Sequence, residues 1–225
     1  MSDLDGSWPH LYTPGDADHP VLLTLHGTGS DERDIAQIAA VLDPEAAVLS
    51  PRGKVSENGM LRWFARRGEG VFDVDDVVFR AAELLTFTES AVAEYGLDGR
   101  PLIAVGLSNG ANIALAAALL HPRSVSRVVA FSGMYPLGDR MPESAAASGG
   151  TAPIPLGARG SARSDSLAAV DVILLNGSAD PMAPAASVDV LERVLRERGA
   201  AVRRITRLGG HGITQADVDA ARAWL

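Results

Sequence analysis

Six short apolar runs alternate with helical patterns along this chain, and that alternation restricts the folds open to it. The runs are Val21–Leu25, Ala46–Leu49, Leu102–Val105, Arg127–Phe131, Val172–Leu175 and Val202–Thr206. The helical patterns are Asp34–Leu42, Val77–Tyr95, Asn109–Leu120, Ala185–Arg198 and Gln215–Trp224. Runs that are apolar on both faces are typical of buried parallel strands. We therefore predict an α/β fold in which helices cover both faces of a mostly parallel sheet, as one domain over residues 1–225.

Composition excludes several classes of function. The chain carries a net charge of −8, which argues against nucleic acid or an anionic membrane surface as its main partner. It contains no cysteine, so a disulfide framework, a thiolate metal site and a cysteine nucleophile are all excluded. No apolar run approaches about 18 residues, so we expect no membrane span. The first residues lack the pattern of a signal peptide, and we expect a cytoplasmic location.

One segment departs from the alternation. Residues 133–170 contain a stretch rich in Ser, Gly, Ala and Pro, Ser144–Ser166, without clear periodicity. Loops of that length inside a compact domain are disordered, passive insertions or parts of a binding site. We predict a flexible insertion at about 140–166, and both a passive and a substrate-covering role stay open.

A candidate nucleophile stands between an apolar run and an Ala-rich helical pattern. The motif is Gly106-Leu107-Ser108-Asn109-Gly110, and G-x-S-x-G in that context is typical of a nucleophile elbow. The turn is too tight for side chains at both flanking positions, so glycine is needed at each, and Ser108 is left exposed beyond the end of the sheet. The five-residue pattern alone is weak evidence. Its interpretation depends on whether the chain also supplies a base, an acid and oxyanion donors.

The base and the acid are sought in the chain order Ser, acid, His, which this fold type uses. Only His121 and His211 follow Ser108 among five histidines, and His121 ends the helix, about 18 Å from the elbow. His211 follows the last strand, and Asp180 follows the strand before it. Singly, Asp180-Pro181 is also typical of a helix-capping turn, and His211 of a polar residue in a Gly-rich turn. Together they predict a Ser108–Asp180–His211 triad.

The oxyanion hole requires two backbone N–H groups aimed at the developing negative charge. We predict one from Asn109, the residue after the candidate nucleophile. The other is predicted from Thr28, which lies in the glycine-bracketed loop after the first apolar run. His26 opens that loop and precedes Ser108 in the chain, so we interpret it as a structural histidine that orders the loop.

Candidate substrate-contacting residues follow the second apolar run. Met60 and the stretch Arg62-Trp63-Phe64 either wall the acyl or alcohol site or form a satellite hydrophobic cluster under a long loop. Met134 and Met182, each near the end of a predicted strand, are similar candidates. The proposed chemistry needs no metal and no organic cofactor.

With these residues in place, the chain resembles the phospholipase/carboxylesterase family of the α/β-hydrolase superfamily, which includes small bacterial serine esterases and acyl-protein thioesterases. The matching stretches are Leu25–Glu32, Ser50–Gly53, Arg62–Phe64, Gly106–Ala111, Phe131–Gly133, Gly177–Pro181 and Gly210-His211. The resemblance implies an α/β-hydrolase fold and the same triad and oxyanion donors. The insertion at about 140–166 departs from the compact family pattern.

These observations predict a serine carboxylesterase that acts through an acyl-enzyme on small to medium acyl esters. A thioesterase or a lysophospholipase with the same triad is the alternative, and a non-catalytic binding module on a hydrolase scaffold is a further one. The expected partner is a small-molecule ester. The last helix, with Trp224-Leu225, also allows a homodimer.

Overall fold

A seven-stranded sheet forms the centre of the computed structural model, which describes residues 8–68, 70–140 and 166–225. Residues 141–165 of the predicted insertion lie outside the described residues. The described strands are β1 (His10–Thr13), β2 (Val21–Leu25), β3 (Ala47–Pro51), β4 (Val55–Glu57), β5 (Met60–Arg62), β6 (Arg66–Gly68), β7 (Val71–Phe72), β8 (Leu102–Leu107), β9 (Arg127–Phe131), β10 (Asp171–Gly177) and β11 (Ala201–Arg207). The described helices are α1 (Glu32–Leu42), α2 (Val74–Glu94), α3 (Asn109–Leu120), α4 (Ala185–Glu197) and α5 (Gln215–Arg222).

The strand order is β1-β3-β2-β8-β9-β10-β11, and every pair in the sheet is parallel except β1 with β3. The predicted fold class, a mostly parallel sheet with helices on both faces, is confirmed, and all six predicted strands are present. Strand β1 was not predicted, because its four residues are only partly buried and form no continuous apolar run. The hairpins β4–β5 and β6–β7 were not predicted for the same reason.

Alternate residues of each strand pack into two separate cores. In β2, Leu23 faces the core built with α2, α3 and α4, whereas Leu22 faces the core built with α1 and α5. Every residue of α3 is buried, which explains why its sequence is Ala-rich on all sides rather than amphipathic. Because the central strands are parallel, the loops after β2, β8, β9, β10 and β11 all leave the sheet at one edge.

Two glycines allow the backbone to turn between β8 and α3 in the space available. A Cβ atom on Gly106 would stand 2.5 Å from the backbone of Gly110 and Ala111. A Cβ atom on Gly110 would stand 1.9 Å from the carbonyl oxygen of Leu25 and 2.5 Å from that of His26. The start of α3 is therefore pressed against the end of β2, and only glycine fits at the contact.

Gly110→Ala should therefore destabilise the protein by at least about 2 kcal/mol, because backbone atoms would have to separate to admit the methyl group. Urea unfolding followed by circular dichroism measures this change. The control is Gly68→Ala, since a Cβ atom there meets nothing within 4 Å. Equal stabilities for the two variants would contradict the close approach.

Candidate active site

The candidate nucleophile occupies a strained backbone conformation at the end of β8. Ser108 has φ 52° and ψ −113°, a region that residues other than glycine rarely adopt. Its N–H donates to the Phe131 carbonyl of the neighbouring strand at 2.8 Å, and its carbonyl accepts from Asn112 N at 2.9 Å. These bonds hold the turn so that Ser108 lines a pocket of about 310 Å³. A serine with positive φ in a tight turn between a strand and a helix is the geometry expected of a nucleophile elbow.

The structure brings the candidate acid and base together. Nδ1 of His211 lies 2.8 Å from Oδ2 and 3.0 Å from Oδ1 of Asp180, whose side chain is fully buried. Asp180 Oδ1 also accepts from the backbone N–H groups of Met182, at 2.9 Å, and Ala183, at 3.1 Å. A carboxylate fixed in this way assigns the proton to Nδ1 of His211, because an ionised carboxylate can only accept. Nε2 is then left as the acceptor, which is the tautomer that a general base requires.

Ser132, at the end of β9, ties the loop of the candidate base to the elbow. Its hydroxyl donates to the Gly212 carbonyl at 3.1 Å and accepts from the Gly212 N–H at 3.2 Å. Arg207 Nη2 donates to the same carbonyl at 2.7 Å. Since the preceding residue, Phe131, accepts the Ser108 N–H, a short chain of bonds joins His211 to Ser108 across β9. This role of Ser132 was not predicted, although a polar residue at a strand end between two candidate catalytic strands was the available signal.

The Ser108 hydroxyl makes no hydrogen bond to His211 or to any other of the described residues. The serine–base contact of such sites is often long without substrate and tightens in the reacting complex. Proton transfer from Ser108 to His211 therefore belongs to the mechanism proposed below.

Both predicted oxyanion donors lie on the pocket wall. Thr28 and Asn109 line the pocket beside Ser108, and neither backbone N–H donates to a residue in the described part of the chain. The Asn109 side chain is buried, and its Oδ1 accepts from Trp63 N at 2.7 Å, which fixes the first residue of α3. Two unpaired N–H groups beside a serine are what an oxyanion site needs, and the assignment of these two remains a prediction.

His26 holds the Thr28 loop in place, as a structural histidine would. The imidazole is fully buried; Gly53 N donates to its Nε2 at 2.9 Å, and its Nδ1 lies 2.8 Å from the Gly27 carbonyl. Because Nε2 accepts, Nδ1 carries the proton and the ring is neutral. Burial lowers the pKa of His26, in agreement with this assignment.

The candidate substrate-contacting residues divide into two groups. Met182 lines the pocket, together with Phe72 and Met134. Trp63 and Phe64 do not line it; both are almost fully buried in the core that contains α2 and α3. Of the two interpretations open for Trp63 and Phe64, a pocket wall was wrong, because their rings pack inward as part of a hydrophobic cluster.

Met60 also lies outside the described lining of this pocket. It is partly exposed and sits next to Gly29, where a Cβ atom would meet the Met60 side chain at 3.6 Å. Arg62, which belongs to the same predicted stretch as Trp63 and Phe64, does line the pocket, and so does Arg66, which was not predicted.

Among residues 8–68, 70–140 and 166–225, no group of three or more His, Cys, Asp or Glu side chains is arranged to hold a metal ion. Within the same ranges, no helix is long and apolar enough to cross a membrane.

The parallel sheet and the serine turn between β8 and α3 define the class of the protein as an α/β hydrolase. Residues 8–158 match the model of the phospholipase/carboxylesterase family. The chain belongs to this family, and the predicted resemblance is confirmed.

Individual relatives are similar over nearly their whole lengths. The putative hydrolase MhqD of Bacillus subtilis (strain 168) is 37% identical over 217 residues, covering 96% of each chain. The Bacillus cereus carboxylesterase structure is 35% identical, with a TM-score of 0.83 over 98% of this chain and 94% of that one. A carboxylesterase from Mesorhizobium loti is 25% identical, with a TM-score of 0.81 over 98% and 95%. The family and these neighbours support a hydrolase that acts on a small-molecule substrate.

An NMR titration of the histidine rings tests the assignment of His26. We expect a midpoint below 6.5 for His26 and above 6.5 for His19, whose pKa is raised chiefly by its hydrogen bond to Asp43. At pH 7 the His26 ring should be neutral with its proton on Nδ1. The stability that neutral His26 contributes is then present above pH 6.5 and is lost as the pH falls below that value. A His26 midpoint above that of His19 would contradict the assignment.

Proposed function

We propose that this hydrolase is a serine carboxylesterase in which Ser108, His211 and Asp180 form the catalytic triad. One observation carries the proposal: a fully buried Asp180 bonds Nδ1 of His211 at 2.8 Å, at the same edge of the sheet as a strained Ser108. The family and the carboxylesterase neighbours support ester hydrolysis as the activity.

Acylation begins when Ser108 Oγ attacks the carbonyl carbon of the ester. His211 Nε2 takes the hydroxyl proton, and the ionised Asp180 stabilises the resulting imidazolium. The carbonyl oxygen becomes an oxyanion, which accepts hydrogen bonds from the N–H groups of Thr28 and Asn109. His211 then donates its proton to the leaving alcohol, which departs as the C–O bond breaks and leaves an acyl-enzyme on Ser108.

Deacylation repeats these steps with water as the nucleophile. His211 removes a proton from water, whose oxygen attacks the acyl carbon, and the same two N–H groups hold the second oxyanion. The proton returns to Ser108 Oγ as its bond to the acyl group breaks, which releases the carboxylic acid and restores the enzyme.

The same machinery also serves thioesters and lysophospholipids, so these substrates are the alternative. The pocket volume of about 310 Å³ lies at the small end of ligand sites, which favours short acyl groups over the long chain of a lysophospholipid. Rates on an ester, a thioester of the same acyl group and a lysophospholipid separate the three activities. A non-catalytic binding module is disfavoured because every member of the proposed triad is present.

Ser108→Ala should lower kcat on a short-chain p-nitrophenyl ester by about 10⁴-fold or more, because the nucleophile is removed. Initial-rate kinetics measure the change. Ser90→Ala, on the exposed surface of α2, is the matched control and should leave kcat unchanged. A Ser108→Ala variant that keeps kcat within tenfold of the wild type would contradict the mechanism.

Asp180→Asn should lower kcat by about 10³- to 10⁴-fold with a much smaller effect on KM, because the amide no longer selects the required tautomer of His211. The control is Asp189→Asn on α4, where the carboxylate bonds Arg204 away from the site. Similar kinetics for the two Asn variants would count against the role of Asp180.

A further inference from the structure

Arg62, a buried arginine, lines the same pocket as Ser108, and the mechanism above does not use it. The side chain is 4% exposed, yet the residue belongs to the pocket wall with Thr28 and Asn109. A buried cation is expensive unless carboxylates and other acceptors surround it. The partners of Arg62 therefore indicate whether its charge is neutralised within the protein or is available to bind a ligand.

The backbone fixes Arg62 between the two proposed oxyanion donors. On one side, the Leu61 carbonyl accepts from Gly29 N at 3.0 Å, next to Thr28. On the other side, Trp63 N donates to Asn109 Oδ1 at 2.7 Å. A Cβ atom on Gly53 would stand 2.4 Å from the Arg62 carbonyl oxygen, so the strand is also packed from behind. Arg62 thus starts from a rigid position beside the reacting centre.

The guanidinium of Arg62 is only partly paired. Its Nη1 lies 3.3 Å from Glu57 Oε2, and its Nε lies 3.3 Å from the Phe64 carbonyl. By contrast, Arg52 binds Glu32 through two bonds of 2.6 and 2.7 Å. Nη2 of Arg62 donates to none of the described residues, since the side-chain bonds of Arg62 run from Nε and Nη1. One nitrogen of the guanidinium is therefore left without a partner among the described residues, in a residue that lines the pocket.

Among the described residues, the charge around Glu57 is also unbalanced. Arg66 Nε binds the same Glu57 carboxylate at 3.0 Å, so two cations share one anion. Arg62 and Arg66 are the charged residues in the described lining of the pocket. Burial, and then the Arg66 cation, lower the pKa of Arg62, which nevertheless remains protonated. An anionic group in the pocket would supply the missing countercharge.

We propose that the preferred substrate is an ester that carries a free carboxylate in its acyl or alcohol part, and that Arg62, assisted by Arg66, binds this carboxylate. The planar fork of a guanidinium matches a carboxylate in shape and charge. Arg62 is then a specificity-determining residue of the proposed esterase. This inference rests on the proposed function.

Two pairs of esters, matched in shape, test the preference and assign the carboxylate to one side. The acyl pair is monoethyl glutarate and the ethyl ester of glutaramic acid; the alcohol pair is O-acetylglycolate and O-acetylglycolamide. Within each pair only the charge changes, because a carboxamide replaces the carboxylate. The wild type should hydrolyse the carboxylate member of one pair with a kcat/KM about tenfold or more above that of its amide. Equal or lower rates on both carboxylates would overturn the proposal.

Arg62→Gln should reduce this ratio to about one, since the neutral amide no longer distinguishes the two members of the pair. Arg67→Gln is the matched control: Arg67 lies on β6, the next strand in the chain, is exposed, pairs with Asp73 and lies outside the described pocket lining. It should keep the wild-type ratio. A ratio unchanged in Arg62→Gln, or lowered equally in both variants, would show that Arg62 is structural and overturn the proposal.

Binding provides a readout that does not depend on turnover. In the Ser108→Ala background, NMR or calorimetry should detect glutarate binding that weakens about tenfold or more when Arg62→Gln is added. Arg62→Lys keeps the positive charge and should restore part of that affinity. It replaces Arg62→Gln in this comparison if the Gln variant does not fold. If no ester is hydrolysed but glutarate binds through Arg62, the esterase proposal fails and the anion site stands. Glutarate binding that is indifferent to both substitutions overturns the anion site.

Discussion

The contact between the start of α3 and the end of β2 is the constraint on which the rest of this structure depends. Gly110 has no side chain, so its backbone lies against the carbonyl oxygens of Leu25 and His26. This approach forces the turn at Ser108 into a positive φ. It also brings the N–H of Asn109 to the same pocket as the N–H of Thr28. One backbone contact therefore assembles the proposed nucleophile and both proposed oxyanion donors.

Two hydrogen-bonded networks extend from this contact. On the substrate side, neutral His26 joins the Thr28 loop to Gly53, while Trp63 Nε1 donates to the His26 carbonyl at 2.9 Å. On the opposite side, Ser132 links the end of β9 to the Gly212 backbone and so to His211. Rigid support of this kind maintains the geometry that acid–base catalysis requires. The first network positions the backbone next to Arg62, and the second positions the proposed base, His211.

The strands could be predicted because their signal is local. The proposed triad could be inferred because the order of its members along the chain is a strong restriction. A strand buried on both faces appears as a continuous apolar run, and the chain order of Ser108, Asp180 and His211 leaves few alternatives among the histidines. The positions of Trp63 and Phe64 could not be predicted in this way. They follow β5, a strand of only three residues, so no period in the sequence reveals which side chains face the core.

The roles of Arg62 as a proposed anion site and of Ser132 as a link to the Gly212 backbone could not be predicted from the sequence, for different reasons. Arginines near Arg66-Arg67 resemble an ordinary solvated hairpin, and only the burial of Arg62 beside Ser108 distinguishes it. Ser132 acts on the Gly212 backbone, 80 residues away in the chain, and no local pattern reports such a contact. Both roles arise from tertiary packing, which brings distant residues to one edge of the sheet.

Covalent labelling tests the identity of the nucleophile most directly. The protein is incubated with a fluorophosphonate, which phosphonylates an activated serine, and the adduct is located by peptide mass spectrometry while residual esterase activity is followed. We expect one adduct, on Ser108, that forms in step with the loss of activity. An adduct on another serine, or complete inactivation without modification of Ser108, would contradict the assignment.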